Sequence, residues 1–320
     1  MASTQTRLSW TAAGMVLAFN LMCWLPASLW AFIIAASTGL VFLLATRAIW
    51  IGSGVAAASF VLGILTAKFL PDGYFLYFVG FSLVFVILPS GLMSGGIKQG
   101  LPVYRTQLLA TLPIVLVMLL YLANVAGSAT AWKNVMDNMS ATFIEWYEET
   151  VSTIPSTASP EEISLLKKAF QSSFDFLYRF FPGLMVSWAV AMNVVSYFFA
   201  CKMIQRDGGF CQKLREFALW KAGAANMYVL AVALMAWLIG TEGFKPISEN
   251  VLFVVAVLYM VAGFAVIEHY LKRVRIHPAL RIAFYIALLL SGWVGGLVAA
   301  LIGLADSHFD FRRVKAQTIG

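Results

Sequence analysis

Between Arg7 and Arg47 the chain runs for 39 residues without a single Asp, Glu, Lys or Arg. A water-facing surface needs charge at far shorter intervals, whereas a bilayer core of about 30 Å asks for roughly 20 consecutive apolar residues per helix. The run therefore holds room for two membrane segments. Pro26 falls between them, so they read as 8–24 and 27–46, either a tight helical hairpin or a re-entrant pair.

The rest of the chain repeats the pattern. Hydrophobic residues make up 61% of it and charged residues 12%, against about 25% charged in a soluble domain. Its 22 Lys/Arg and 15 Asp/Glu, 37 charges in all, cannot cover the surface of a soluble globule of 320 residues. This excludes a soluble enzyme, a disordered scaffold and a nucleic-acid-binding module. The expectation is an all-α, polytopic transmembrane bundle. Nine spans are counted, within a range of eight to ten: 8–24, 27–46, 49–67, 74–94, 106–127, 179–201, 217–240, 251–271 and 281–304.

Lys and Arg collect on the cytoplasmic side of membrane proteins, and here they gather in short loops. One loop carries Lys98 and Arg105. A second, 202–221, carries Lys202, Arg206, Lys213, Arg215 and Lys221, and a third carries Lys272, Arg273, Arg275 and Arg281. Arg7 and Arg47 fall on the same side, which makes the N-terminus cytoplasmic and the net charge of +7 mainly a topology signal. The expected location is the bacterial inner membrane. Nine spans put the tail outside, although it carries Arg312, Arg313 and Lys315 against Asp306 and Asp310; a turn back near Gly292, Gly295 and Gly296 would settle that conflict differently. Cys23, Cys201 and Cys211 form no even framework and no C-x-x-C. The last two flank a loop placed in the reducing cytoplasm, so neither zinc nor a disulfide is expected.

The organisation that follows is an N-terminal membrane half (1–127), an extracytoplasmic insertion (128–178), a C-terminal membrane half (179–304) and a short tail (305–320). Within the insertion, Trp132, Met136, Met139, Phe143, Tyr147 and Val151 form one apolar stripe at helical spacing. A second helix is announced by Ser159-Pro160-Glu161-Glu162, with Ser as N-cap and Pro at the first position. The expectation is a two-helix amphipathic cap, packed on itself or on the bundle, or else serving as a lid or partner surface.

No H-E-x-x-H, G-x-S-x-G, Walker lysine loop or paired metal ligands occur, so no enzyme and no cofactor are expected. Polar residues within spans are costly and are the default candidates. Asn193 and Asn226 lie on adjacent antiparallel spans at matching depth, as an interhelical amide bond or as the polar floor of a solute site, and Asn20 sits at comparable depth. Glu268 and His269 close the eighth span as a salt bridge to Lys272 or Arg273, or as a proton relay. Pro89 with Gly91, and Pro113, are candidate helix breaks, and discontinuous helices are where transporters hold solutes. Gly292-x-x-x-Gly296 suits close helix packing.

The C-terminal half carries a resemblance. Phe181-Pro182-Gly183 opens a span bearing Asn193; a basic loop with Arg206 and Arg215 follows, then Phe217 to Trp220. The chain closes on Gly303-Leu304-Ala305-Asp306 and Phe309-Asp310-Phe311-Arg312. Over about residues 175–315 this order resembles the YybS-like family of bacterial membrane proteins, a group without an assigned function. The N-terminal half is loosely similar to the substrate-capturing subunits of energy-coupling-factor vitamin transporters. The expected role is a small-solute binding or transport component without its own nucleotide site, with the bilayer, a small molecule and a membrane or envelope protein as partners. The alternative is a structural or assembly factor acting through the external cap.

Overall fold

The computed structural model describes residues 29–46, 49–67, 82–128, 160–240 and 244–312, with isolated positions at 14, 80 and within 134–149. Among the described residues all regular structure is helical. In hydrocarbon an isolated segment satisfies its own N–H and C=O groups only by coiling on itself, and that is what the apolar runs do. The helices are α1 (Leu29–Ala45), α2 (Ile49–Ala67), a π turn (Leu83–Ile87) leading into α3 (Leu88–Lys98), α4 (Val103–Ser128) and α5 (Pro160–Arg206). After a 3-10 turn (Phe217–Leu219) come α6 (Ala224–Ile239), α7 (Lys245–Arg273), α8 (Pro278–Leu290) and α9 (Trp293–Phe309).

Three stretches are long and apolar enough to cross a bilayer unaided: Val103–Leu122, Lys168–Arg206 and Lys245–Arg273. Ile33–Ala45, Ile49–Ala58, Leu83–Lys98 and Ala225–Ile239 are shorter apolar helices. The expected span 8–24, with Asn20, lies outside the described residues except for position 14, as does much of the expected first helix of the external insertion. Two expected spans take a different form. The segment 281–304 is not one helix, because α8 and α9 meet at a bend of 112°. Gly292 sits in that bend with φ +62, a backbone region that glycine enters at little cost. The segment 217–240 begins its helix only at Ala224, for a reason given below.

The chain separates into two compact units, 1–118 with 185–214, and 119–184 with 215–320. In the first, α3 and α4 form a hairpin. Gly100 (φ +66) turns the chain at the end of α3, and Leu101 N–H donates to Gly96 O at 2.9 Å. A Cβ on Gly96 would press on the Thr106 side chain, so glycine sets how closely the two helices meet. The loop after α5 turns at Gly208, where φ is +79. It returns against its own helix: Tyr197 Oη donates to Gln212 O at 2.8 Å and Gln205 Nε2 to Cys211 O at 3.0 Å. This brings Cys201 and Cys211 to a Cα separation of 5.4 Å, and the two are joined as a disulfide. The expectation of unpaired thiols is thereby corrected; spacing gave no hint of a reversal that folds ten residues back on themselves.

In the second unit α7 and α9 pack backbone to backbone. A Cβ on Gly263 would overlap the Ala299 carbonyl, and one on Gly303 would overlap the Tyr259 carbonyl. The small residues that permit the approach are thus Gly263, Ala299 and Gly303. Gly292 is spent on the bend, and Gly296 meets only the Met260 sulfur.

Candidate functional site

The first unit buries two separate apolar clusters, and the register of its helices shows what lies between them. One cluster gathers Ile33, Ala36, Phe85, Val86, Ile114 and Ala189. The other includes Val41, Phe42, Met93, Ala110, Tyr197 and Ala200. Each of α1, α3 with its π turn, α4 and α5 passes from one cluster to the other, and each carries a buried polar residue at the crossing. Ser37 and Thr38 stand on α1, Ser90 on α3, Thr111 on α4 and Asn193 on α5. Counting 1.5 Å per residue from Thr38 to Ala45, Ser90 to Lys98, Thr111 to Val103 and Asn193 to Lys202 puts all four about 10–14 Å from the basic end of their helices. That is near the middle of a 30 Å hydrocarbon core.

Hydrogen bonding within this layer is thin. Asn193 Nδ2 reaches Thr111 Oγ1 at 3.5 Å, and Ser196 Oγ reaches Ile34 O at 3.5 Å. Both lie beyond the usual range of about 2.7–3.2 Å. Thr111 Oγ1 itself donates to Gln107 O at 2.8 Å. Thr38 Oγ1, Ser82 Oγ, Ser90 Oγ and both amide ends of Gln107 have no hydrogen-bond partner among the described residues. Ser90 is fully buried, at 0% exposure, and Thr38 is 4% exposed. A buried polar group without a partner costs about 1–3 kcal/mol. Thr38 and Ser90 thus place two such costs at one depth. Pro89 stands beside Ser90, after the π turn, and returns no N–H to the turn behind it. π turns inside helices recur at functional sites.

The other expected site residues fall elsewhere. Asn226 belongs to the second unit and lies in the first turn of α6, half-buried, its N–H donated to Gly223 O. Its expected mid-depth position depended on a helix starting at Phe217. Arg312 prevents that start. It donates to the carbonyls of Ala218 (2.6 Å) and Trp220 (2.7 Å), which an α-helix would have used itself. Arg312 also pairs with Asp306 at 2.8 Å, and both side chains are almost wholly buried. Asp306 and Arg312 are therefore internal fasteners, not a surface signal. Pro113 lies inside an unbroken α4, so it makes no break. Gly91 is exposed, with open space where a Cβ would go.

Glu268 sits among Arg281 (2.7 Å), the Tyr285 hydroxyl (3.0 Å) and Lys272 (3.6 Å). Lys272 also donates to Glu216. That hydrogen bond and the ammonium charge hold the Glu216 carboxyl below its usual range. His269 is half-buried and meets Tyr270 edge to face. This is a network of fixed charge. Among the described residues no group of His, Cys, Asp and Glu could hold a metal ion.

One residue of the second unit carried no signal in the sequence reading. Asn250 is buried, and its amide enters the turn of α5 next to Pro182. Gly183 N–H donates to Asn250 Oδ1 at 2.8 Å, while Asn250 Nδ2 donates to Arg179 O at 3.0 Å. In a regular helix Gly183 N–H would bond Arg179 O directly. The Asn250 amide bonds both of these groups.

No curated protein and no solved structure matches the chain. The profile of a family described as a predicted membrane protein (DUF2232) matches residues 15–307, which agrees with the resemblance carried by 175–315. This all-helical, apolar, multi-pass chain belongs to that membrane protein family.

Proposed function

We propose that this protein is a small-solute binding or transport component of the bacterial inner membrane, N-terminus in the cytoplasm, without a nucleotide site of its own. The observation that carries the reading is the layer of buried polar side chains across four helices of the first unit. Polar groups at membrane depth are expensive unless they serve a pathway or a site. A layer in which the Thr38 and Ser90 hydroxyls have no partner among the described residues is hard to account for as interhelical glue alone. The π turn Leu83–Ile87, which ends just before Pro89, leads into the same level, and such turns inside helices recur at functional sites.

The test is uptake in cells that require the protein. Asn193→Leu combined with Ser90→Ala should abolish it while leaving the protein inserted at wild-type level; unimpaired uptake would refute the reading. A second reading, an envelope scaffold acting through residues 128–178, draws on the apolar Leu165, 64% exposed in the first two turns of α5. Deleting residues 130–176 would remove a co-purifying partner from a scaffold and leave ligand retention by a solute binder intact.

A further inference from the structure

We propose that the polar layer of the first unit binds a single desolvated alkali-metal cation. The inference rests on the solute-site reading above and names what the site takes.

The donor set comes first. Thr38, Ser90, Thr111 and Asn193 place one oxygen-bearing side chain on each of four helices at one depth. Hydroxyl and amide oxygens are hard, neutral donors, suited to hard cations and not to soft metals. No described residue at this level carries a carboxylate or a cationic side chain. A divalent ion, whose desolvation cost rises with the square of its charge, would find nothing there to neutralise it. A monovalent ion needs no counter-charge when oxygen dipoles replace its hydration shell, as carbonyl rings do in potassium filters.

Size gives the second argument. Ala36, Ser90 and Ser196 are each 0% exposed, and an apolar cluster closes the layer on either side. Pockets for organic ligands run to about 300 Å³ or more, whereas this tightly closed layer suits a guest of atomic dimensions. Orphan acceptors supply the third argument. Thr38 Oγ1 and Ser90 Oγ are nine-tenths buried or better and have no partner among the described residues. A cation accepts both at once. The Thr111 hydroxyl gives its proton to Gln107 O at 2.8 Å, which leaves its oxygen lone pairs for the ion. Binding is reversible coordination, so no bond is made or broken.

The experiment uses the full-length protein in nanodiscs. Thermal stability is measured in LiCl, NaCl, KCl and RbCl and in N-methylglucamine chloride, all at one ionic strength. The expected result is a saturable, concentration-dependent rise in melting temperature with one or two of the alkali ions and none with N-methylglucamine. Ser90→Ala and Thr38→Val should each weaken the half-saturating concentration at least tenfold. Equal stability in all five salts would overturn the proposal and leave water as the partner of these hydroxyls. An ion effect that both variants retain unchanged would overturn the placement. Uptake measured on the same variants separates the two readings. Asn193-dependent uptake indifferent to the ion would sink this inference and keep the solute site. A layer-dependent ion effect without uptake would do the reverse.

Discussion

Replacing Asn250 with Ala removes one side chain and disturbs two helices. The amide takes Gly183 N–H, gives to Arg179 O at 3.0 Å, and gives to Pro246 O at 2.8 Å in its own helix. The site is sealed: Asn250 is 4% exposed, so water does not readily replace the lost bonds. Orphaning both Gly183 N–H and Arg179 O would cost about 1–3 kcal/mol each. Some of that returns, because the two groups stand at i and i−4 of one helix and can bond each other, recovering about 1 kcal/mol. The net expectation for Asn250→Ala is a loss of about 2 kcal/mol. Asn250→Asp should be worse. An ionised carboxylate still accepts from Gly183 but cannot donate, and it then faces the carbonyls of Arg179 and Pro246.

Reversible unfolding by SDS in mixed micelles, followed by tryptophan fluorescence, supplies the free energies. The sharper test is a cycle with Gly183→Ala. A Cβ at Gly183 would stand 3.0 Å from the Asn250 backbone O, 3.1 Å from Oδ1 and 3.1 Å from Phe253 Cδ1, so one part of its cost comes from crowding the Asn250 amide. In the Asn250→Ala background that part should vanish, giving a coupling of at least about 1 kcal/mol, where independent sites add within about 0.5 kcal/mol. Additive costs, or an Asn250→Ala variant within about 0.5 kcal/mol of wild type, would refute the idea that the amide fastens α7 to the turn of α5 at Gly183.

Arg312→Ala should cost about 3–5 kcal/mol, because it leaves Asp306 charged and buried and strips the donor from Ala218 O and Trp220 O; the double variant Asp306→Leu, Arg312→Met should recover part of that in the same unfolding assay. Glu216 has its folded pKa depressed by Lys272, so its contribution is present above the unfolded value of about 4.3 and is lost as pH falls through the lower folded value. The stability difference between wild type and Glu216→Gln should hold from pH 7 to 5, fade only in stronger acid, and stay small and salt-sensitive, since the carboxylate is 58% exposed. The Cys201–Cys211 disulfide leaves Cys23 as the one free thiol of three, so maleimide labelling of protein denatured without reductant should modify one cysteine per chain. Three labelled thiols would refute the pairing, and a disulfide trapped in intact cells would place the loop 202–221 on an oxidising side, reversing the orientation read from Lys and Arg.

What the sequence disclosed follows from which physical terms are local. Helix ends set by a change from apolar to charged residues were legible: 27–46 and 49–67 were expected, and Leu29–Ala45 and Ile49–Ala67 are found. Asn193 stood out because an amide in an apolar run has no cheap local partner. Ser90, Thr38 and Thr111 did not stand out, since a hydroxyl can bond back to its own helix and so passes unremarked in a hydrophobic segment. Only the shared level on four helices gives them meaning, and no single run contains that. Asn250 lay at the edge of an expected loop, 241–250; the available signal was Pro182-Gly183, a turn bound to need an outside partner. Arg312 was read as tail charge because the carbonyls it serves lie 92 and 94 residues earlier.

The two units use polar residues in opposite ways, and that contrast is why the functional reading rests on the first. In the second, buried charge and amide groups arrive with partners: Arg312 with one carboxylate and two carbonyls, Asn250 with two carbonyls and one N–H. Asp306 Oδ1 and Arg281 Nε lack a bond, but each belongs to a group already anchored through another atom, and the Tyr259 hydroxyl stands alone. Such a unit is fastened, and its polar residues are explained by what they fasten. In the first unit the hydroxyls of Thr38, Ser82 and Ser90 and both ends of Gln107 have no partner among the described residues, and Thr38 and Ser90 share one level between two apolar clusters. Leu, Val or Ala at those positions would remove several unsatisfied polar groups and keep the packing, so stability alone favours the apolar choice. A layer that forgoes this gain is better explained by a guest that completes its hydrogen bonding or coordination than by the fold itself.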